Sequence, residues 1–192
     1  MTAVPSSLDR TTFRYTVERY HAAIAAGVLT ELDKLELIDG ELIEKMPIGK
    51  KHRDCVDKIN LYFVRRFGDV YLCAGQNPIT IPPHSEPEPD YALVDREQYA
   101  IRDGNPEPAD IHLLIEVANA TLDYDRGPKA RLYAGAGVPE YWVIDLQHDR
   151  VEVYLDPDSG DGTYDQVRRY RKGEAIDSPR CGQVRVDDLL PY

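Results

Sequence analysis

The chain has 192 residues, 42% hydrophobic and 30% charged, with a formal net charge of −11. That length suits one domain with a substantial core, expected to span residues 1–192. No stretch approaches the roughly 20 apolar residues of a membrane helix, and so acidic a chain does not coat nucleic acid by bulk electrostatics. The opening MTAVPSSLDRTTF lacks the basic-then-apolar pattern of a signal peptide, which predicts a cytoplasmic protein. Cys55, Cys73 and Cys181 are far apart and odd in number, and are expected to be reduced thiols.

In chain order, Phe13, Val17, Tyr20 and Ile24 recur at helical spacing and predict an amphipathic helix from Thr12 to Gly27. Leu35 to Ile43 carries two short apolar runs around Asp39-Gly40, a preferred pair for a tight hairpin turn. Lys50 to Phe67 reads as a second helix, with Cys55, Ile59, Tyr62, Phe63 and Phe67 near one face and Gly68 closing it. Val70 to Ala74 and Pro78 to Ile81 are expected to form two strands, and Tyr91 to Val94 a third. Tyr99 to Ala109, rich in Asp, Gly, Asn and Pro, reads as a loop.

The run Ile111 to Val117 is apolar except for His112 and Glu116, as in a central strand buried on both faces. A helix is expected over Asp125 to Ala136, capped by Asp125 with Pro128 in its first turn. Tyr141 to Asp145 and Arg150 to Leu155 read as paired strands, and the remainder as edge strands. The pattern implies an α/β (α+β) domain, a mixed central sheet flanked by helices, with a right-handed crossover between the strands at 111–117 and 141–145.

Charge is unevenly placed. Seven Lys/Arg face two Asp between Lys45 and Arg66, whereas eleven acids face three arginines between His84 and Arg126. An acidic centre beside a basic segment suits a metal site next to a phosphate track, though charge alone fits an ordinary patchy surface better. Glu116 stands near the end of an apolar strand, where a carboxylate is costly unless paired, hydrogen-bonded or metal-bound. Asp90 opens the strand Tyr91 to Val94. Two carboxylates at adjacent strand ends suit a hard cation such as Mg²⁺, yet each alone equally fits a strand-end salt bridge or cap. Lys129 follows on the next helix, where a solvated lysine is the commoner outcome. Tyr133, Tyr141 and Trp142 read as core.

Other motifs are weaker. Gly135-Ala-Gly137 ends a helix instead of opening one after a strand, so it is no nucleotide loop. The five histidines show no zinc-ligand spacing. Arg168 to Lys172 mixes basic and aromatic residues as a nucleic-acid contact does, and as an exposed edge strand does.

Several of these segments occur together in a distinctive combination. Leu-Glu-Leu-Ile-Asp-Gly-Glu-Leu-Ile43 is followed by a helix led by His52, then by Glu86-Pro-Glu-Pro-Asp90 and Leu-Leu-Ile-Glu-Val-Ala118. Next come Thr121, Asp125, Lys129 and Tyr133, and finally Gly-Val-Pro-Glu-Tyr-Trp-Val-Ile-Asp145. Over about residues 35–154 this resembles the Uma-type restriction endonuclease family of bacteria, assigned to the PD-(D/E)XK fold.

The resemblance makes Asp90 the Asp of "PD" and Glu116 the acid of "(D/E)XK". Ala118 stands where the superfamily places its lysine, which points to Lys129 on the next helix. Asn119-Ala120 replaces the family's common Ser-Pro. A metal-dependent DNA endonuclease is implied, with Mg²⁺ or Mn²⁺ held by Asp90, Glu116 and the main-chain carbonyl of Val117. Lys129 would orient or help deprotonate the attacking water. Glu36, or alternatively Glu41, would orient a metal water, and His52 would contact phosphate. For Glu36, Glu41 and His52, surface carboxylates and a helix-start histidine fit equally well. A homodimer is expected, since two related sites cut both strands of a duplex. The other readings are a catalytically weak or inactive nucleic-acid-binding or regulatory module on the same fold, and a structural protein that binds no metal.

Overall fold

The computed structural model describes residues 12–191. The segment 1–11, which holds most of the stretch read for a signal peptide, lies outside the described residues. No helix among the described residues is long and apolar enough to cross a membrane.

The first helix, α1, covers Val17–Ala25 and starts five residues later than its apolar spacing suggests. Thr16 is extended and its hydroxyl accepts the Arg19 N–H, which fixes the start. Before it, Tyr15 N–H donates to the Gly40 carbonyl (2.9 Å), so residues 12–16 run along a hairpin instead of coiling. That hairpin pairs β1 (Leu35–Ile38) with β2 (Glu41–Glu44). Asp39 and Gly40 have φ of 49° and 79°, as a two-residue type I′ turn requires. A Cβ on Gly40 would lie 2.5 Å from the Arg14 Cβ. Gly40→Ala is therefore expected to cost about 1–3 kcal/mol from left-handed strain alone. Urea unfolding checks this, and an unchanged midpoint would refute it.

The helix α2 spans Lys50–Phe67 and ends at Gly68, as its pattern predicts. The main sheet has six strands: β3 (Tyr71–Gly75), β4 (Tyr91–Asp95), β5 (Ile111–Ala118), β6 (Glu140–Asp145), β7 (Arg150–Asp158) and β8 (Thr163–Arg171), in that spatial order. Only β5 and β6 are parallel; the other neighbours are antiparallel. The strand expected at Pro78 to Ile81 does not form. Prolines 78, 82 and 83 bring no donors to a ladder, and Ile79 and Thr80 donate instead to the Pro87 and Pro106 carbonyls. The loop expected over 99–109 is flanked by a short helix, α3 (Arg96–Ala100), which Asp95 caps.

Strand alternation sorts the core into two layers. Leu113, Ile115 and Val117 point to the face covered by α2, where Cys55, Ile59 and Phe63 pack with Tyr91 and Trp142. A small hairpin, β9 (Ala175–Ser178) with β10 (Gly182–Arg185), and Leu189 and Leu190 complete that layer. Leu114 and Ala118 point the other way, toward Ala130, Tyr133, Tyr141 and Val143. Glu116 shares that second face by the same alternation.

The helical run that covers the second face differs from its expected form. It begins with α4 (Leu122–Tyr124), passes through a π-turn at Asp125–Lys129 and ends in α5 (Ala130–Gly135). Asp125 is buried inside the run and does not cap it. Pro128 has no N–H to give the preceding turn, and the wider π-turn accommodates it. The three cysteines are free, two of them buried.

Candidate active site

The site forms where the start of β4 meets the end of β5. Antiparallel pairing sets Tyr91 opposite Ile115, so the next residues outward are Asp90 and Glu116. The Val117 N–H donates to Asp90 Oδ2 (2.8 Å). A residue's N–H and C=O leave an extended strand on the same side, so the Val117 carbonyl also leaves β5 toward Asp90. From α2, His52 Nε2 lies 3.0 Å from the same Asp90 oxygen. His52 thus holds Asp90, and its Nδ1 is buried with no partner among the described residues.

Glu116 is 3% exposed. Its Oε1 accepts from Lys129 Nζ (2.9 Å) and from the Tyr133 hydroxyl (2.8 Å). Lys129 Nζ also lies 3.3 Å from Glu36 Oε2. Glu36 arrives there because β1 docks against the segment before Asp90, with Glu86 N–H donating to the Leu37 carbonyl (2.7 Å). Glu41, the alternative, is exposed on β2 beside the turn and is not brought to this cluster. Asp125 adds a fourth carboxylate and accepts from the Thr121 hydroxyl (2.6 Å).

Three carboxylates, Glu36, Glu116 and Asp125, thus surround one lysine, and Asp90 adds a fourth beside Glu116. All five line a cavity of about 440 Å³, together with Lys45, Met46, Pro47 and Ile48. The surplus of negative charge shows in the titration of the group. Burial raises Glu116 above the usual carboxylate range; Lys129 lowers it, but Asp125, Asp90 and Glu36 raise it again. Asp125 is raised by burial too, against the opposing pull of Lys129 and Thr121. Burial pulls the Lys129 ammonium down, yet Glu116, Glu36 and Asp125 more than offset this and leave it raised. Both partners of the ion pair therefore favour their protonated forms, the signature of a site short of positive charge.

Two members were missed in the sequence. Tyr133 reads as plain core and Asp125 as a cap. The signal was the four-residue spacing of Thr121, Asp125, Lys129 and Tyr133, which places polar groups along one side of a helix. Tyr133→Phe removes one of two donors on Glu116 Oε1 and is expected to cost about 0.5–1.5 kcal/mol, as for a typical internal hydrogen bond. Chemical denaturation measures it, and a neutral result would mean the hydroxyl is not bonded there.

A mixed sheet with acids at the start of one strand and the end of its neighbour, and a lysine from the following helix, has the restriction-endonuclease-like fold. The chain belongs to the Uma2 family, whose model, described as "Putative restriction endonuclease", matches residues 17–186. A solved structure described as a putative nuclease belonging to DUF820, from Anabaena variabilis, is similar over 91% of this chain and 97% of its own. Its TM-score is 0.69 at 14% sequence identity, a likeness of fold. No curated protein matches this chain.

Proposed function

We propose that this protein is a metal-dependent endonuclease that hydrolyses phosphodiester bonds in DNA, with Mg²⁺ or Mn²⁺ as its ion. The observation that carries this reading is the surplus of carboxylates, Glu36, Glu116 and Asp125 around Lys129 with Asp90 beside Glu116, lining one cavity. Carboxylates buried without matching cations cost stability. A divalent cation relieves that cost, and a structural role does not.

The donors fit a hard ion. Asp90 Oδ1 and Glu116 Oε2 accept no hydrogen bond from the described residues, since each acid uses its other oxygen. With the Val117 carbonyl these are oxygen ligands only. Among the described residues no three His, Cys, Asp or Glu side chains are grouped to cage a metal. Mg²⁺ keeps several waters and needs only one or two carboxylates, so Asp90, Glu116 and Val117 suffice to hold it. When bound, the ion lowers the pKa of a water and neutralises charge on the scissile phosphate.

The chain's own groups divide the remaining work. Lys129 and Tyr133 pin one oxygen of Glu116 and leave the other toward the ion. His52 and the Val117 N–H do the same for Asp90. Lys129 stays protonated among its acids, so it orients the attacking water and stabilises charge developing on phosphate instead of taking a proton. Lys50, Lys51 and Arg53, exposed at the start of α2 beside the cavity, supply attraction for the backbone. Three free thiols suit a reducing cytoplasm, and a homodimer would present two such sites to a duplex.

The test is cleavage of plasmid, linear duplex, single-stranded and branched DNA with Mg²⁺ or Mn²⁺ and with EDTA, beside a calorimetric Mg²⁺ titration. Cutting that EDTA abolishes, with saturable ion binding, is the expected result. Neither cutting nor ion binding would favour an inactive binding module.

A further inference from the structure

A second cavity, also about 440 Å³, lies beside the first. The strand β1 divides them: Glu36 faces the acidic site, and its neighbour Leu35 faces the second cavity. Lys45 and Glu88 line both cavities, and their ion pair forms the shared lip. A chain leaving the acidic site over this lip enters the second cavity directly.

Half of the walls are apolar: Ile24, Leu29, Leu35 and Pro78, with the half-buried ring of Tyr20. The Tyr20 hydroxyl donates to the Leu35 carbonyl (3.3 Å), which fixes the ring against β1. The polar half of the lining is Thr30, Lys34, Lys45, Glu88 and Glu86, the last only 7% exposed, with His21 Nε2 2.9 Å from both its oxygens and the Thr80 hydroxyl donating at 2.7 Å. Glu86 and Glu88 repel phosphate from the interior, whereas Lys34 and Lys45 at the edge attract it.

We infer that the second cavity takes a nucleobase of an unpaired strand, next to the phosphodiester bond held at Asp90 and Glu116. This rests on the nuclease reading and narrows its substrate. An apolar wall with one fixed aromatic ring, facing polar groups across the cavity, suits a base, which has an apolar face and a polar edge. A buried carboxylate accepts from the exocyclic amino group that adenine, guanine and cytosine carry. Bases inside a duplex are stacked and out of reach, so the strand entering here is single or locally opened.

The full chain is titrated in EDTA with a short single-stranded oligonucleotide carrying 2-aminopurine at successive positions, and with the same strand in a duplex. The expected result is a fluorescence change confined to one position of the single strand. Tyr20→Leu and Ile24→Asp should each weaken single-strand binding about tenfold, the loss of roughly one stacked base, and leave duplex binding unaltered. Ile24 is 44% exposed, so its variant keeps the fold even if Tyr20→Leu does not. No position-specific change, or variants that bind the single strand like wild type, would overturn the inference while cleavage of DNA still upheld the nuclease. A protein that neither binds nor cuts any DNA would overturn both.

Discussion

Lys129→Met should lower the cleavage rate by about 10²–10³-fold, the typical effect of deleting one preorganised donor that meets developing charge. Because that charge grows only in the transition state, kcat and kcat/KM should fall together and KM should hardly move. The same substitution should destabilise the fold. Lys129 is the one lysine among Glu36, Glu116 and Asp125, and removing one partner of a buried pair costs about 3–5 kcal/mol. The loss should depend on pH in a definite direction. Glu116 has a folded pKa above its ordinary value of 4.5, raised first by burial. The folded state therefore holds a proton that the unfolded state has released, and stability falls as pH rises through that window. Without Lys129 the raise is larger, since the lysine opposes it. Urea unfolding at pH 5 and pH 8 should show a smaller deficit at pH 5, where Glu116 is neutral. Equal deficits would mean that Glu116 does not feel Lys129, and the site as drawn would be wrong.

How much of this was legible in the sequence follows from which forces act locally. The turn at Asp39-Gly40, the helix Lys50–Phe67 and the buried strand around Glu116 are set by near-neighbour chemistry, and each has its expected bounds within a residue or so. Segments whose hydrogen bonds go to distant partners depart from the form their local pattern predicts. Pro78 to Ile81 has strand-like residues but donates to carbonyls after residue 84 and near residue 106. Residues 12–16 have helical spacing but are drawn into register with the hairpin. At the site, Asp90 and Glu116 fall together because sheet register makes them opposite, a consequence of two apolar strands recognisable in advance. The choice of Glu36 over Glu41 depended on which side of β1 meets the segment before Asp90, and no local pattern encodes that. The π-turn was hidden for a similar reason: Pro128 looked like a first-turn proline, whereas the helix had already begun at Leu122.

That π-turn makes Arg126 the position where fold and chemistry meet. Arg126 lies three residues before Lys129 and turns to the neighbouring strands β6 and β7, at the same end of the sheet as Glu116, onto two fully buried acids. Its Nε and Nη2 donate to Glu152 (2.9 and 2.7 Å), and Nη2 also to Asp145 (3.1 Å). Arg150, Arg169 and His148 surround the same pair. Burial alone would raise Glu152 and Asp145, but hydrogen bonds from Arg169 and Arg126 to the one, and from His148 and Arg150 to the other, leave both lowered. Arg126→Met should cost about 2–3 kcal/mol, less than the ~3–5 of a pair left with no cation, because Arg150 and Arg169 remain. Acids with lowered folded values stabilise above their ordinary range, and that contribution is lost as pH falls through the folded values. The Arg126→Met deficit should therefore persist at pH 5, where that of Lys129→Met has already shrunk, and fade only in stronger acid. Loosening the turn also lets Lys129 drift from Glu116, so kcat should drop about tenfold with KM nearly constant, on the scale of a small misplacement of a positioned group. A stable-state assay at low temperature separates the two effects. Full turnover in a destabilised Arg126→Met protein would show that the network supports the sheet alone and that Lys129 is placed by Glu116 and Glu36 without it.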